Sequence, residues 1–330
     1  MHVQGIAPAP PHLLTSPRRR RARRAPRAAL ALVGLVACAD LASGDLDAAP
    51  LLDAAIVDAA ASGDLCGLTY SAYNDSPEVM AQSTYAWTCS GGVRRVTGTG
   101  IPDHPVVGGR FATPISTQNV SVTFPLAPTV GATATPAAMN VGYALNSVKF
   151  DPATAGSCAS DATSTAPGDG CVAAMGTGPW RLEALGGAFM FGTDDSNAHV
   201  QPNGQYHYHG IPEGILTRLG RGQAMTLVGY ATDGFPIYAR YGYTDATDAT
   251  SAVKVMTGSW QKKASPDAGR PSVTVFPMGT FTQDYEYVAG SGDLDECNGR
   301  TGVTPEFPGG TYHYFITDSY PYIQRCVKGQ

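Results

Sequence analysis

Several familiar chemistries find no foothold in this 330-residue chain. It contains no G-x-x-x-x-G-K-[ST], no G-x-G-x-x-G, no G-x-S-x-G and no H-E-x-x-H, so nucleotide, dinucleotide, serine-hydrolase and zincin readings have no local support. C-x-x-C is missing too, which removes the usual spacing of a cysteine metal site. No helical period is sustained anywhere. The apolar run from Ala28 to Ala37 is far too short to span a bilayer as a helix. A glycosidase needs two carboxylates a few ångströms apart, and nothing in the spacing singles out such a pair.

Glycine and proline are plentiful instead. The 39 glycines and 25 prolines make up near a fifth of the chain, against a usual level of roughly 12%. Between these breaks lie short β-branched or aromatic runs: Val93 to Thr97, Val120 to Phe124, Val141 to Phe150, Phe189 to Phe191, Tyr206 to His209, Leu227 to Ala231, Ile237 to Tyr241, Ser272 to Phe276, Tyr285 to Val288 and Tyr312 to Thr317. Short strands spaced by turn residues predict an all-β fold, a disulfide-stabilised β-sandwich or barrel with long Gly/Pro-rich loops. A stretch of about 260 residues is ample for a buried core.

The first 38 residues read as a lipoprotein-type signal peptide. Seven arginines and no acid lie between Arg18 and Arg27, the apolar run follows, and Leu35-Val36-Ala37-Cys38 resembles a lipobox. Cys38 is then the lipidated first residue, and the membrane is a partner through that anchor. Residues 39–65 read as a flexible acidic tether, with six aspartates and no aromatic residue before Cys66. Leu51 to Ala61 is a short helix candidate of little weight. Losing seven leader arginines leaves 15 basic residues against 27 acidic ones, a net charge of −12, which argues against nucleic acid as a partner. The expected location is the cell envelope or periplasm, lipid-anchored, or otherwise secreted.

Six cysteines remain beside Cys38: Cys66, Cys89, Cys158, Cys171, Cys297 and Cys326. An even number in an exported chain reads as disulfides, and six allow fifteen connectivities. Sequential pairing is the expectation. Cys158 and Cys171 bracket a Ser/Ala/Thr/Asp/Gly/Pro loop that could not hold itself closed, and Cys297 with Cys326 would staple the end of the chain.

The densest chemistry lies in Asn197 to Gly210, N-A-H-V-Q-P-N-G-Q-Y-H-Y-H-G. Alternate residues of a strand share a face, so His207 and His209 project one way and Tyr206 and Tyr208 the other. Two imidazoles roughly 6.5–7 Å apart along a strand can converge on one metal ion if a third ligand arrives. His199 is placed to do so by the Pro202-Asn203-Gly204 turn. Of the five histidines beyond the leader, His313 lies in a similar strand, Gly310-Thr311-Tyr312-His313-Tyr314-Phe315, and His104 in a turn-rich loop. Asp194-Asp195-Ser196-Asn197 also faces Asp295-Glu296-Cys297-Asn298, which suggests a degenerate internal repeat over about 194–210 and 295–315. Were the two strands neighbours, His313 would reach the same pocket.

Five segments carry a resemblance: G-I-P-D-H at Gly100, A-L-N-S-V-K-F-D-P at Ala144, the histidine stretch itself, V-G-Y-A-T-D-G-F-P-I-Y at Val228, and the run from Ser291 to Phe315. In this order, from about Arg94 to Lys328, they resemble the YHYH-domain family of bacterial exported proteins. The resemblance implies an exported domain and supplies no activity; with the strand runs and cysteines from Cys66 onward, the domain, one or two closely merged ones, is expected over 66–330.

Two functions follow as expectations. In the first, an exported lipoprotein binds copper or zinc through His199, His207 and His209, with His313 or His104 as a further ligand and Asp233 orienting an imidazole from outside. Metal-dependent hydrolysis or redox chemistry would then be open to it, with no reaction named. In the second, a non-catalytic cell-surface β-module binds glycan, protein or a small molecule, and the YHYH strand is structural. The acidic clusters Asp293, Asp295, Glu296 and Asp194, Asp195, Asn197 lack full calcium-loop spacing, so they read first as turn caps and only secondarily as calcium ligands. Tyr312, Tyr314, Tyr320 and Tyr322 read first as core packing and only secondarily as a ligand platform.

Overall fold

The computed structural model describes residues 65–330 apart from positions 138 and 167. The leader, Cys38, the helix candidate and all of the tether before Leu65 lie outside the described residues. The described chain begins with a four-stranded antiparallel meander of β1 (Thr69–Asn74), β2 (Ala81–Ser90), β3 (Val93–Gly98) and β4 (Val120–Pro125). Ser83, Tyr85 and Trp87 are buried on β2 while their neighbours are wetter, as expected of a sheet with one covered face.

After β5 (Val130–Pro136) come β6 (Gly142–Ala144), β7 (Lys149–Phe150), then β8 (Ser157–Cys158), β9 (Cys171–Val172) and β10 (Trp180–Arg181), which form a small sheet of their own. The chain continues through β11 (Ala198–Val200), β12 (Tyr206–Tyr208), helix α1 (Glu213–Leu219), β13 (Thr226–Ala231) and β14 (Pro236–Ala239). Two hairpins follow, β15 (Tyr241–Tyr243) with β16 (Val253–Val255) and β17 (Trp260–Lys262) with β18 (Tyr285–Tyr287). β19 (Gly299–Gly302), β20 (Thr311–Ile316) and β21 (Cys326–Gly329) close the chain, the last pairing back onto β5.

Eight of these strands make the central sheet, in the order β11-β12-β7-β6-β13-β14-β20-β19. Every residue of β6, β12, β13 and β14 is buried, so both faces of the sheet are covered. The meander packs on one of them: Trp87 rests against Tyr230 and donates its indole N–H to the Leu145 carbonyl at 2.8 Å, while Phe124 meets Tyr143 edge-on. With β11 and β19 as free edges, the sheet is an open layer of a sandwich and no barrel closes.

The strand order is the same read from either edge. β6 and β13 pair at the centre through Val141-Gly142-Tyr143-Ala144 and Val228-Gly229-Tyr230-Ala231, with Tyr143 opposite Tyr230. Outward from there, each half adds a hairpin partner (β7 or β14), then a parallel strand (β12 or β20), then an antiparallel edge strand (β11 or β19). The two YHYH-like strands are therefore related by a pseudo-two-fold axis and occupy opposite ends of the sheet.

Three expected strands take another form. Val141 to Phe150 is a hairpin, because Asn146 Oδ1 accepts the Val148 N–H and Ser147 adopts φ 65°, turning the chain between β6 and β7. Ser272 to Phe276 is a turn in which the Val275 and Phe276 N–H groups both donate to the Ser272 carbonyl. Phe189 to Phe191 has no strand partner and packs on a second apolar cluster built from Trp180, Leu182, Phe276 and Phe281. α1 is only seven residues long, with Ile215 and Leu219 buried and Gly220 closing it at φ 61°, too short for its period to stand out. No helix among the described residues is long and apolar enough to cross a membrane.

The cysteines pair sequentially, Cys66–Cys89, Cys158–Cys171 and Cys297–Cys326. The second bridge joins β8 to β9 within the smaller cluster, which also holds the buried pair of Arg270 and Asp284. Asp284 accepts two guanidinium N–H groups at 2.6 and 2.7 Å and the backbone N–H groups of Gly279 and Phe281, so neither charge is left bare. Replacing Cys158 and Cys171 together with alanine is expected to lower stability by about 3 kcal/mol, the entropy of a loop of this size. Urea denaturation of the two proteins measures it.

Candidate metal centre

β11 and β12 are antiparallel neighbours, and their register sets His199 directly opposite His207. His209 lies one position beyond β12 on the same face, held by its backbone N–H to the Asn197 carbonyl at 2.8 Å. The three rings meet edge to face, with centroids 4.6 Å apart for His199 with either partner and 4.7 Å between His207 and His209. One nitrogen from each lies within 4.8 Å of the others, and among the described residues no other group of three His, Cys, Asp or Glu side chains does this. Nitrogens on a common tetrahedral zinc sit roughly 3.3 Å apart, given bonds near 2.0–2.1 Å, so small ring movements suffice.

The local backbone fixes two of the rings. His207 Nδ1 bonds the Gln205 carbonyl at 3.0 Å and His199 Nδ1 the Phe191 carbonyl at 3.2 Å. A carbonyl only accepts, so both Nδ1 atoms carry the proton and each Nε2 keeps its lone pair. His207 Nε2 in turn lies 3.0 Å from His209 Nε2. His209 Nδ1 is buried and makes no hydrogen bond.

Burial pushes all three rings below the ordinary histidine range. For His207 the next cause is His199, for His209 it is His207, and for His199 the Lys149 charge adds to burial. The triad is a set of neutral nitrogen donors at neutral pH, the form in which imidazole binds a metal.

His199 and His207 also line a cavity of about 580 Å³, together with Asp151, Gln201, Phe111 and Phe191. Asp151 enters because β7 runs parallel to β12 and ends beside it. Its carboxylate, raised by burial, is held by Lys149 at 2.9 Å and by the Gln201 amide at 3.0 Å. Asp151 lies in the Ala144 to Pro152 segment that carries the resemblance, but its Gln201 partner is 50 residues downstream, so no local pattern assigns it to the cavity.

The remaining candidates lie elsewhere. His104 is buried on the tyrosine face, bonded to the Tyr208 hydroxyl at 2.7 Å and to the Pro105 carbonyl at 2.9 Å. His313 is at the opposite end of the sheet, its Nδ1 on the Thr311 carbonyl at 3.0 Å and its ring beside Tyr238 and Phe315. The expected meeting of His313 with the other histidines therefore does not occur: the repeat places its strand at the far pole. Asp233 accepts the Tyr314 hydroxyl at 2.5 Å and the backbone N–H of Gly329, and orients no ring of the triad.

Most carboxylates of the acidic clusters have their oxygens engaged. Asp194 takes the Ser196 and Ala198 N–H groups and the Tyr206 hydroxyl, and Asp295 takes Cys297 N–H, Gly299 N–H and the Tyr312 hydroxyl. Asp293 pairs with Lys254 and Glu296 with Lys328. Asp195 is exposed, its backbone N–H donating to the Val107 carbonyl, and the Asn197 amide donates to the Ile211 carbonyl. The Tyr312, Tyr314 and Tyr320 side chains are buried as packing. Tyr322 stands edge-on to Tyr320.

Fold and site together define a disulfide-stapled, all-β protein of exported type with a three-histidine cluster at one end of its main sheet. The chain belongs to the YHYH protein family, which it matches over residues 121–329. That match begins inside β4, so the Gly100 to His104 segment included in the wider resemblance falls before it. No curated protein and no solved structure matches the chain.

The pH response of the metal-free protein follows from the neutral rings. Above about pH 6.5 the histidines are neutral folded or unfolded. Below it the unfolded chain binds protons that the folded triad refuses, so stability falls as pH drops from about 6.5 toward 5. A variant carrying His199→Gln, His207→Gln and His209→Gln is expected to show a shallower fall; in both proteins His313, pushed down to about 4, adds to the fall and Glu306, pushed up to about 7, opposes it. Urea midpoints at pH 7 and pH 5 give both slopes.

Proposed function

We propose that His199, His207 and His209 hold a copper or zinc ion, and that the protein is an exported metal-binding lipoprotein anchored through Cys38. The observation that carries this reading is the convergence of three ring nitrogens within 4.8 Å, two of the rings having Nδ1 tied to a backbone carbonyl. Imidazole nitrogens suit copper and zinc, and three protein ligands are one short of a closed structural zinc site. The cavity beside His199 and His207 gives access to the remaining position. A metal there would supply Lewis acidity or redox chemistry, while Asp151, Lys149 and Gln201 set the charge and hydrogen bonding of the adjoining wall. The non-catalytic reading draws support from Tyr206 and Tyr208, which are fully buried core side chains.

Metal analysis of the purified, reloaded protein decides between them. We expect about one equivalent of copper or zinc per chain, falling below one tenth in the His207→Ala, His209→Ala double variant, and a melting temperature lowered by chelator only in the wild type. Less than one tenth of an equivalent in the wild type, with a melt indifferent to chelator, leaves the structural module.

A further inference from the structure

The cavity is far larger than a metal ion needs. Its volume of about 580 Å³ lies in the range of small-molecule sites. Phe111, Phe189 and Phe191 form its aromatic wall, and Met139, Met175 and Met190 its outer part. Phe189 and Phe191 stand 4.5 Å apart between centroids, and Phe191 meets the His199 ring edge-on at 5.8 Å, so the aromatic wall runs down to the histidines. Met175 and Met190 are 87% and 82% exposed, which the core does not require of them. Thioethers adapt to irregular apolar ligands and contact aromatic rings favourably.

We infer that this cavity binds a hydroxylated aromatic compound, with its ring against Phe189 and Phe191 and its oxygen directed to the three-histidine end. The inference rests on the metal reading for what the oxygen meets. The ring is assigned by the phenyl and thioether walls, since aromatic faces pair in offset or edge-on contact. The hydroxyl is assigned by the polar inner end, lined by Gln201 and the Asp151 carboxylate it holds, where the proposed ion would keep a position unfilled. A sugar fits less well, because its many hydroxyls would face phenyl and methionine side chains without partners.

The test uses the full exported chain loaded with zinc, which is colourless, and 4-nitrocatechol, whose absorption band moves on coordination. Zinc content is measured first. We expect a shifted band and a Kd below about 1 mM, while cellobiose at the same concentration does not bind. Phe189→Ala with Phe191→Ala leaves the Phe191 carbonyl on His199 in place and is expected to keep zinc while weakening nitrocatechol at least about tenfold. If that variant fails to fold, Met190→Asp, at an exposed position, is expected to weaken binding several-fold. Zinc-loaded protein that leaves the band unmoved at millimolar concentration, prefers cellobiose, or binds equally well in the folded variants overturns the inference and leaves the metal reading standing. A chain that takes up neither zinc nor, on reloading, copper overturns both, and the metal content shows which failure has occurred.

Discussion

Everything at the histidine cluster depends on tyrosine hydroxyls on the other side of the same strand. Tyr206 donates to Asp194 at 2.5 Å, and Tyr208 is tied to Asn146 at 3.0 Å and to His104 at 2.7 Å. Both tyrosines are fully buried, so each hydroxyl must find its partner or carry the cost of an unsatisfied polar group. A slip of one residue would exchange the faces of the tyrosines and the histidines. The tyrosine partners therefore set the register of β12, and the register sets His207 against His199. Asp194 does a second task from the same position, accepting the Ser196 and Ala198 N–H groups to shape the turn that starts β11.

The far pole repeats this scaffold with different contents. Tyr312 meets Asp295 as Tyr206 meets Asp194, and Tyr314 meets Asp233 where Tyr208 meets Asn146. Asn197 and Asn298 adopt the same left-handed turn, at φ 56° and 58°. On the opposite face the correspondence lapses: Arg300 stands for His199, Phe315 for His209, and only His313 stays. Arg300 lies over the Phe315 ring at 5.5 Å, and the Tyr238 hydroxyl donates to Glu306 at 2.6 Å, whose carboxyl burial pushes up to about 7. The hydrogen bonds that build the strand are common to both poles, while the side chains that would hold an ion occur at one. Scaffold and site are thus separable parts of the same motif.

What could be read from the sequence divides along the same line. Alternation alone assigns the faces of Tyr206 to His209, and the Pro202-Asn203-Gly204 turn brings His199 back, because both are local effects of period and turn chemistry. The pairing of Cys158 with Cys171 was legible for a similar reason, as a short loop in need of closure. The parallel partnership of β12 with β7 was not, since it joins His207 to Lys149 across nearly sixty residues and leaves no pattern in either segment. Asp151 and the cavity wall were hidden with it. His313 was assigned to the wrong end of the sheet because likeness of two strands reveals a repeat without revealing the axis that relates them. The second Val-Gly-Tyr-Ala, at Val228, held that information. It places Tyr230 opposite Tyr143 at the centre, so whatever lies outward of each copy must end at opposite edges.

The clustering of three imidazoles also has an energetic consequence. Packing His207 Nε2 3.0 Å from His209 Nε2 works for a metal-free protein only if one nitrogen carries a proton and the other does not, since two lone pairs or two N–H groups would repel. His207 has its proton fixed on Nδ1 by the Gln205 carbonyl, so in that state His209 must donate from Nε2. Its buried Nδ1 is then an acceptor without a donor. Moving the proton to Nδ1 breaks the Nε2 contact and leaves a buried N–H without an acceptor instead. Each tautomer of His209 therefore leaves a buried ring nitrogen without a partner. An ion of the kind proposed would give the three Nε2 lone pairs a common partner, which the count of histidines alone does not imply.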